Sequence, residues 1–146
     1  MKREIKFRGK SIIGDKWVYG DLLHIGGGYI INHGSQKDYD ISHDNKFAIQ
    51  FYHEEVSVVF PDTVGQFTGK TDINGKDIYN DDVVRVFTVE RSFNVVVKWS
   101  NYSMAFMACY VDGNQSPFSW FTNLLVYELE VIGNVFDSPE LLKGGK

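Results

Sequence analysis

Val83-Val84-Arg85-Val86-Phe87-Thr88-Val89 and, after three intervening residues, Phe93-Asn94-Val95-Val96-Val97-Lys98-Trp99 decide the fold. In the second stretch Phe93, Val95, Val97 and Trp99 fall on one face at a period of two, the signature of a strand with one side buried. Ser103 to Tyr110 reads as a third strand, and Asp112-Gly113 closes it with a turn. Further on, Leu125, Tyr127, Leu129 and Val131 form the apolar side of a last long strand, with Glu128 and Glu130 facing the other way. Ser116 to Asn123 fits neither period.

The same alternation recurs towards the N-terminus. Ile5 and Phe7 alternate with Lys6 and Arg8. Trp17-Val18-Tyr19 opens a strand running to Leu23, Gly26-Gly27-Gly28 permits a reversal, and Tyr29-Ile30-Ile31 returns. His33 to Lys46 is polar and turn-rich. Phe47 to Phe60 is apolar-rich, and its second half alternates, whereas its first half suits a short helix as well as a strand. Pro61 marks a boundary, Val64 to Thr68 is extended, and Asn74-Gly75 is the strongest turn dipeptide of the chain. Ser138-Pro139-Glu140 carries the signals of a helix start. The sequence thus predicts an N-terminal β segment over 1–60, a second domain over 61–142 ending in a short helix, and a frayed tail over 143–146.

Composition agrees. The 146 residues hold 27 Val and Ile against ten Leu and Ala, which argues against a helical bundle. Net charge is −4, so bulk attraction to nucleic acid is not expected. The single cysteine, Cys109, excludes an intramolecular disulfide framework. The basic N-terminus has no apolar segment behind it, and no run is long enough to span a bilayer. These features predict a soluble, cytoplasmic protein.

Several stretches approach functional motifs and miss. Gly65 to Thr71 resembles a phosphate-binding loop but has three residues between its glycines, where four are needed, and a turn follows in place of a helix. Asp72, Asn74, Asp77, Asp81 and Asp82 suggest a calcium loop, yet its sixth and twelfth positions are Asp77 and Val83. His24, His33, His43 and His53 lie too far apart to share a face. Cys109 sits among Met107, Ala108 and Tyr110, surroundings that suit a structural thiol. The first ten residues carry a net charge of +4, making Lys2, Arg3, Lys6 and Arg8 the candidate nucleic-acid contacts, alongside the reading of a solvated edge.

Linked blocks carry a resemblance. They are Arg3 to Arg8, then Trp17 to Leu22 with Trp17, Tyr19 and Gly20, and Thr63 to Gly69 with Gly65 and Gly69. Asp72 to Val84 follows, with Asp72, Gly75, Tyr79 and Asp82, then Val131 to Phe136 with Gly133 and Asn134, and Ser138 to Leu142. Together they resemble the YopX family of phage and prophage proteins. The family's usual glycine before Asp82 is here Asp81, and its common leucine after Gly69 is Lys70. The resemblance implies a mainly β protein with a small SH3-like barrel in its C-terminal part, and an origin in phage or prophage. It implies no activity, catalytic residue, metal or cofactor. Physical reading makes the shared blocks a folding signature. The glycines serve turns or close approaches, Tyr79 plugs the barrel, the Asp82 carboxylate pins the incoming turn, and Asn134 ties the loop before the terminal helix.

The function expected is therefore that of a non-enzymatic module for protein interaction or self-association. Nucleic-acid binding through the basic N-terminal strand is the first alternative. Small-ligand or metal binding through the Asp72 to Asp82 loop or the histidines is the second.

Overall fold

A computed structural model describes residues 3–34, 56–122 and 127–143. The chain divides into two compact units, one spanning Ile5–Gly65 and the other Gln66–Lys146 with the first four residues. Both are built of short antiparallel strands. Among the described residues no helix is long and apolar enough to cross a membrane.

The first unit holds β1 (Phe7–Lys10), β2 (Trp17–Ile25), β3 (Gly28–Asn32) and β4 (Val56–Val59). They pair in the order β4-β3-β2-β1. β2 and β3 form the hairpin predicted around the glycine run, with Ile25 opposite Gly28. Alternation puts Val18, Ile31 and Val59 on the buried face, with Phe7, Leu22, Tyr29 and Val64 packed round them. Past β1 the chain returns to β4: Ser11 bridges Val59, the Ile12 amide donates to the Val58 carbonyl at 3.0 Å, and the Phe60 amide donates to the Lys10 carbonyl at 2.9 Å. The outer edge of β4 is thereby covered. Gly20 is required where β2 and the end of β3 come together, because a β-carbon there would run into the carbonyl oxygen of Asn32.

The second unit begins with β5 (Gly65–Thr71, its first residue belonging to the first unit) and β6 (Asp77–Tyr79), an irregular hairpin. A five-stranded sheet follows: β7 (Asp82–Phe87), β8 (Ser92–Ser100), β9 (Ala105–Cys109), β10 (Gln115–Pro117) and β11 (Glu128–Asn134), ordered β10-β9-β8-β7-β11. Its core gathers Val84, Val86, Val95, Val97, Ala108 and Leu129 from alternating positions, with Ile78, Phe118 and Phe121 against them. Phe121 meets Phe93 and Tyr127 edge to face, at 5.9 and 5.3 Å between ring centroids. The ambiguous stretch after Ser116 contributes the end of β10 and a 3-10 turn over Phe118–Phe121. The predicted tail beyond Lys143, Leu125, and the helix-or-strand segment from Phe47 lie outside the described residues.

Two expectations need correction. The five-stranded sheet is open and does not close into an SH3-like barrel. The outer edge of β11 is already engaged: the Ile73 amide donates to the Leu129 carbonyl and the Val131 amide donates to the Asp72 carboxylate. β10 is only three residues long and ends in Pro117, which has no N–H to offer a neighbour. The terminal helix is a single 3-10 turn over Pro139–Leu142, bonded from Leu141 to Ser138 and from Lys143 to Glu140. The Ser138 side chain does not cap it. It packs instead over Gly133, where a β-carbon would lie 2.7 Å from Ser138 Oγ and 2.9 Å from Leu141 Cδ1.

Gly20→Ala is expected to cost about 2–3 kcal/mol, because neither backbone at the contact is free to withdraw. A lower urea midpoint and faster hydrogen exchange of the β2 and β3 amides are the readouts, and an unchanged midpoint would refute the contact.

Candidate functional site

The family-signature residues of the second unit converge on two buried carboxylates. Asp72 follows β5 and is 7 % exposed. Its Oδ1 accepts from the amides of Asn74 and Lys76, both at 2.9 Å, and so shapes the turn that holds Gly75 at φ 78°. Its Oδ2 accepts from the amide of Val131, also at 2.9 Å and 59 residues further along the chain. One side chain thus closes a local turn and ties it to the last strand. Asp82, fully buried, closes only its own turn: Oδ2 accepts from the Tyr79 amide at 2.8 Å. Tyr79 is itself buried, with its ring 5.7 Å from that of Phe67.

Between them, Asn80 and Asp81 tie three segments to their own turn. The Asn80 amide donates to Gln66, the Asp81 amide to Val97, and the Val135 amide to Asp81, while Asn80 Oδ1 accepts from the Trp99 amide. Asp81 holds φ 71°, the left-handed region that glycine adopts most easily. Asn134 closes the loop after β11, its Oδ1 accepting from the amides of Phe136 and Asp137. Asp72 and Asp82 thus direct carboxylate oxygens at backbone amides, and that is scaffold chemistry.

The remaining sequence candidates are dispersed. Gly65 to Thr71 is an extended strand with Gly69 at φ 88°, so the phosphate-loop likeness ends there. Among the described residues no cluster of three or more His, Cys, Asp and Glu side chains could hold a metal. His24 stacks on Tyr29 across the hairpin at 4.4 Å, and His33 Nε2 lies 3.0 Å from Ser57 Oγ. His43, His53 and Lys2 fall outside the described residues. Arg3 is exposed and Lys6 half-buried. Arg8 is 3 % exposed, with its guanidinium 4.7 Å over the Trp17 ring, which removes it from the set of surface phosphate contacts. Tyr19, on the same strand as Trp17, is half exposed.

A groove of about 200 Å³ opens on the far face of the five-stranded sheet, lined by Val83, Asn94, Val96, Lys98, Cys109 and Leu141. It falls below the roughly 300–1,000 Å³ usual for small-molecule sites. No carboxylate or imidazole lines it. Burial pushes the Cys109 thiol up, opposed by the weaker pull of Lys98, so the thiolate is disfavoured.

The feature that sequence reading missed is the end of the β8–β9 hairpin. Trp99 is 47 % exposed, Tyr102 99 % and Met104 78 %. The Trp99 indole is held in place, donating to Asn101 Oδ1 at 3.0 Å and meeting Phe106 edge to face at 5.2 Å. Met104 sits at φ 51°. Period-two reading had put Trp99 on the core side, and nothing in the pattern shows that the strand outruns its core there.

Among proteins of known family, the chain matches the model described as YopX protein over residues 6–143. No curated protein matches it.

Asp72→Ala leaves three amides without their acceptor and is expected to cost about 3 kcal/mol, with Asp72→Asn intermediate. Urea denaturation of both variants measures this, and equal stability of Asp72→Ala and wild type would exclude the clamp. Because the folded Cys109 thiol ionises above the unfolded one, its contribution to stability is complete below the ordinary thiol range and is lost as pH rises through the folded value. Cys109→Ser should therefore lose less stability than wild type on alkaline titration.

Proposed function

The chain belongs to the YopX protein family, and from that premise we propose that it is a non-enzymatic protein-interaction module, docking through the end of the β8–β9 hairpin. One observation carries this reading: Trp99 stands exposed and braced near the end of β8, and Tyr102 and Met104 are exposed in the turn that follows it. Aromatic side chains whose rotamers are already fixed lose little entropy on binding and dominate interface energetics. Met104 adds a second argument. Holding a non-glycine residue in the left-handed region costs on the order of 1 kcal/mol, and at its exposure Met104 recovers little of this by packing. A flexible thioether suits an adaptable contact.

Two of the strand edges support the same reading. The β4 edge is covered by residues 10–12, and the β11 edge by residues 72–73. Recognition by strand addition needs a free ladder, and these two edges withhold it. Side-chain recognition by a hairpin end needs none. The small groove presents no carboxylate or imidazole, and its one thiol is held towards the neutral form, so it does not favour an enzymatic reading. The proposal extends to a phage or prophage accessory role in the bacterial cytoplasm, which rests on the family and on the single free thiol.

Tyr102→Ser combined with Met104→Gly tests it. The glycine relieves the left-handed position, so the variant is expected to be at least as stable as wild type. Immobilised wild type should retain a protein from host lysate that the variant loses, with affinity for that protein falling at least tenfold. Retention of the same proteins by both would reject the hairpin as the docking element.

A further inference from the structure

We propose that the outer face of the β2–β3–β4 sheet pairs with the same face of a second copy of this chain. In an antiparallel sheet with one face on a core, the other face is ordinarily polar. Here it is not. Register sets Leu23 opposite Ile30 and Ile30 opposite Val58, and the Ile12 amide bonds to the Val58 carbonyl, so these four side chains form one row across the sheet. They alternate with Val18, Ile31 and Val59, which fill the core on the other side. Ile25 and Phe60 extend the row at the same parity along β2 and beyond β4. Ile12, Ile25, Val58 and Phe60 are each about half exposed, and Leu23 and Ile30 are partly so.

Area and charge both point to a second copy as the occupant. A large side chain left half exposed offers about 100 Å², so the face offers on the order of 500 Å² of apolar surface, at the upper end of what monomers tolerate. A two-fold pair would bury about 1,000 Å², the threshold for a specific interface and well short of an obligate one. The dimer is therefore reversible. No member of the row is charged, so nothing in it repels its own image. Two twisted sheets sharing identical faces also meet the usual geometry of aligned sheet packing. The inference does not rest on the hairpin reading, since all of these residues belong to the first unit.

Sedimentation velocity across a concentration series tests it. Wild type is expected to move from the monomer to the dimer mass as concentration rises, while Val58→Lys, with circular dichroism unchanged, stays monomeric. Ile25→Lys, near the exposed end of the hairpin, is the second variant should Val58→Lys unfold, and it too should stay monomeric. A wild type that remains monomeric throughout would overturn the proposal. So would a folded lysine variant that dimerises normally, growth beyond the dimer, or a dimer abolished by the hairpin variant alone.

Discussion

The second unit depends on one buried carboxylate. Asp72 accepts three amide hydrogens, two from its own turn and one from β11. Charge-assisted bonds away from water are worth more than neutral ones, and an amide deprived of such a partner carries its full desolvation cost. The clamp sets where β11 lies, since Val131 and Leu129 are both engaged by the same turn. It also shields the strand's outer edge and leaves the sheet open. Asp82 and Asn134 repeat the device locally, each tying its own loop by accepting backbone amides. Acidic residues that resemble a metal loop in sequence are here the fasteners of a β scaffold.

Much of this was legible in the residues, and the reasons differ from element to element. β7 and β8 announced themselves because Val-rich runs suit a strand better than a helix, and in β8 Phe93, Val95, Val97 and Trp99 also fall at a period of two. The β2–β3 hairpin was legible from its glycines. The turn at Asn74-Gly75 was equally plain, yet the bond from Asp72 to Val131 was not, because a contact across 59 residues leaves no trace in local pattern. The expected barrel failed for the same reason: closure depends on which edges are left free, and the edge of β11 was taken by a turn far away in sequence. The terminal turn stayed short because it packs on Gly133, and a helix-start signal says nothing of what lies beneath it. Arg8 shows the limit of charge reading, since a basic residue on an alternating strand is indistinguishable in sequence from one lying over a tryptophan ring.

What the fold withholds and what it presents are related. Capping the edge of β4 with main-chain bonds, and that of β11 with one main-chain bond and the Asp72 carboxylate, closes two routes to indiscriminate strand pairing. Contact then falls more to side chains, and beside scattered exposed residues such as Ile5, Ile73, Val89 and Trp120 two groups of apolar ones stand out. Three stand at the end of one hairpin, and six lie on the outer face of the first sheet. Grouping of this kind is what separates an interaction surface from the scattered exposed hydrophobics of any small protein.

The bond between Asp72 and Val131 also has a bearing on how the chain is made. A ribosome that has released β5 through β9 has not yet supplied the amide that the Asp72 carboxylate requires. Until β11 emerges, that charge must stay hydrated, and the turn that carries it has no strand to settle on. The second unit is therefore held back from completion until its last strand is synthesised, because the β11–β7 pairing and the Asp72 bond are its long-range contacts. A nascent chain stalled just short of Val131 would expose nearly all of a Val-rich sheet without the strand that closes its flank, and quality control would meet it as an unfinished protein.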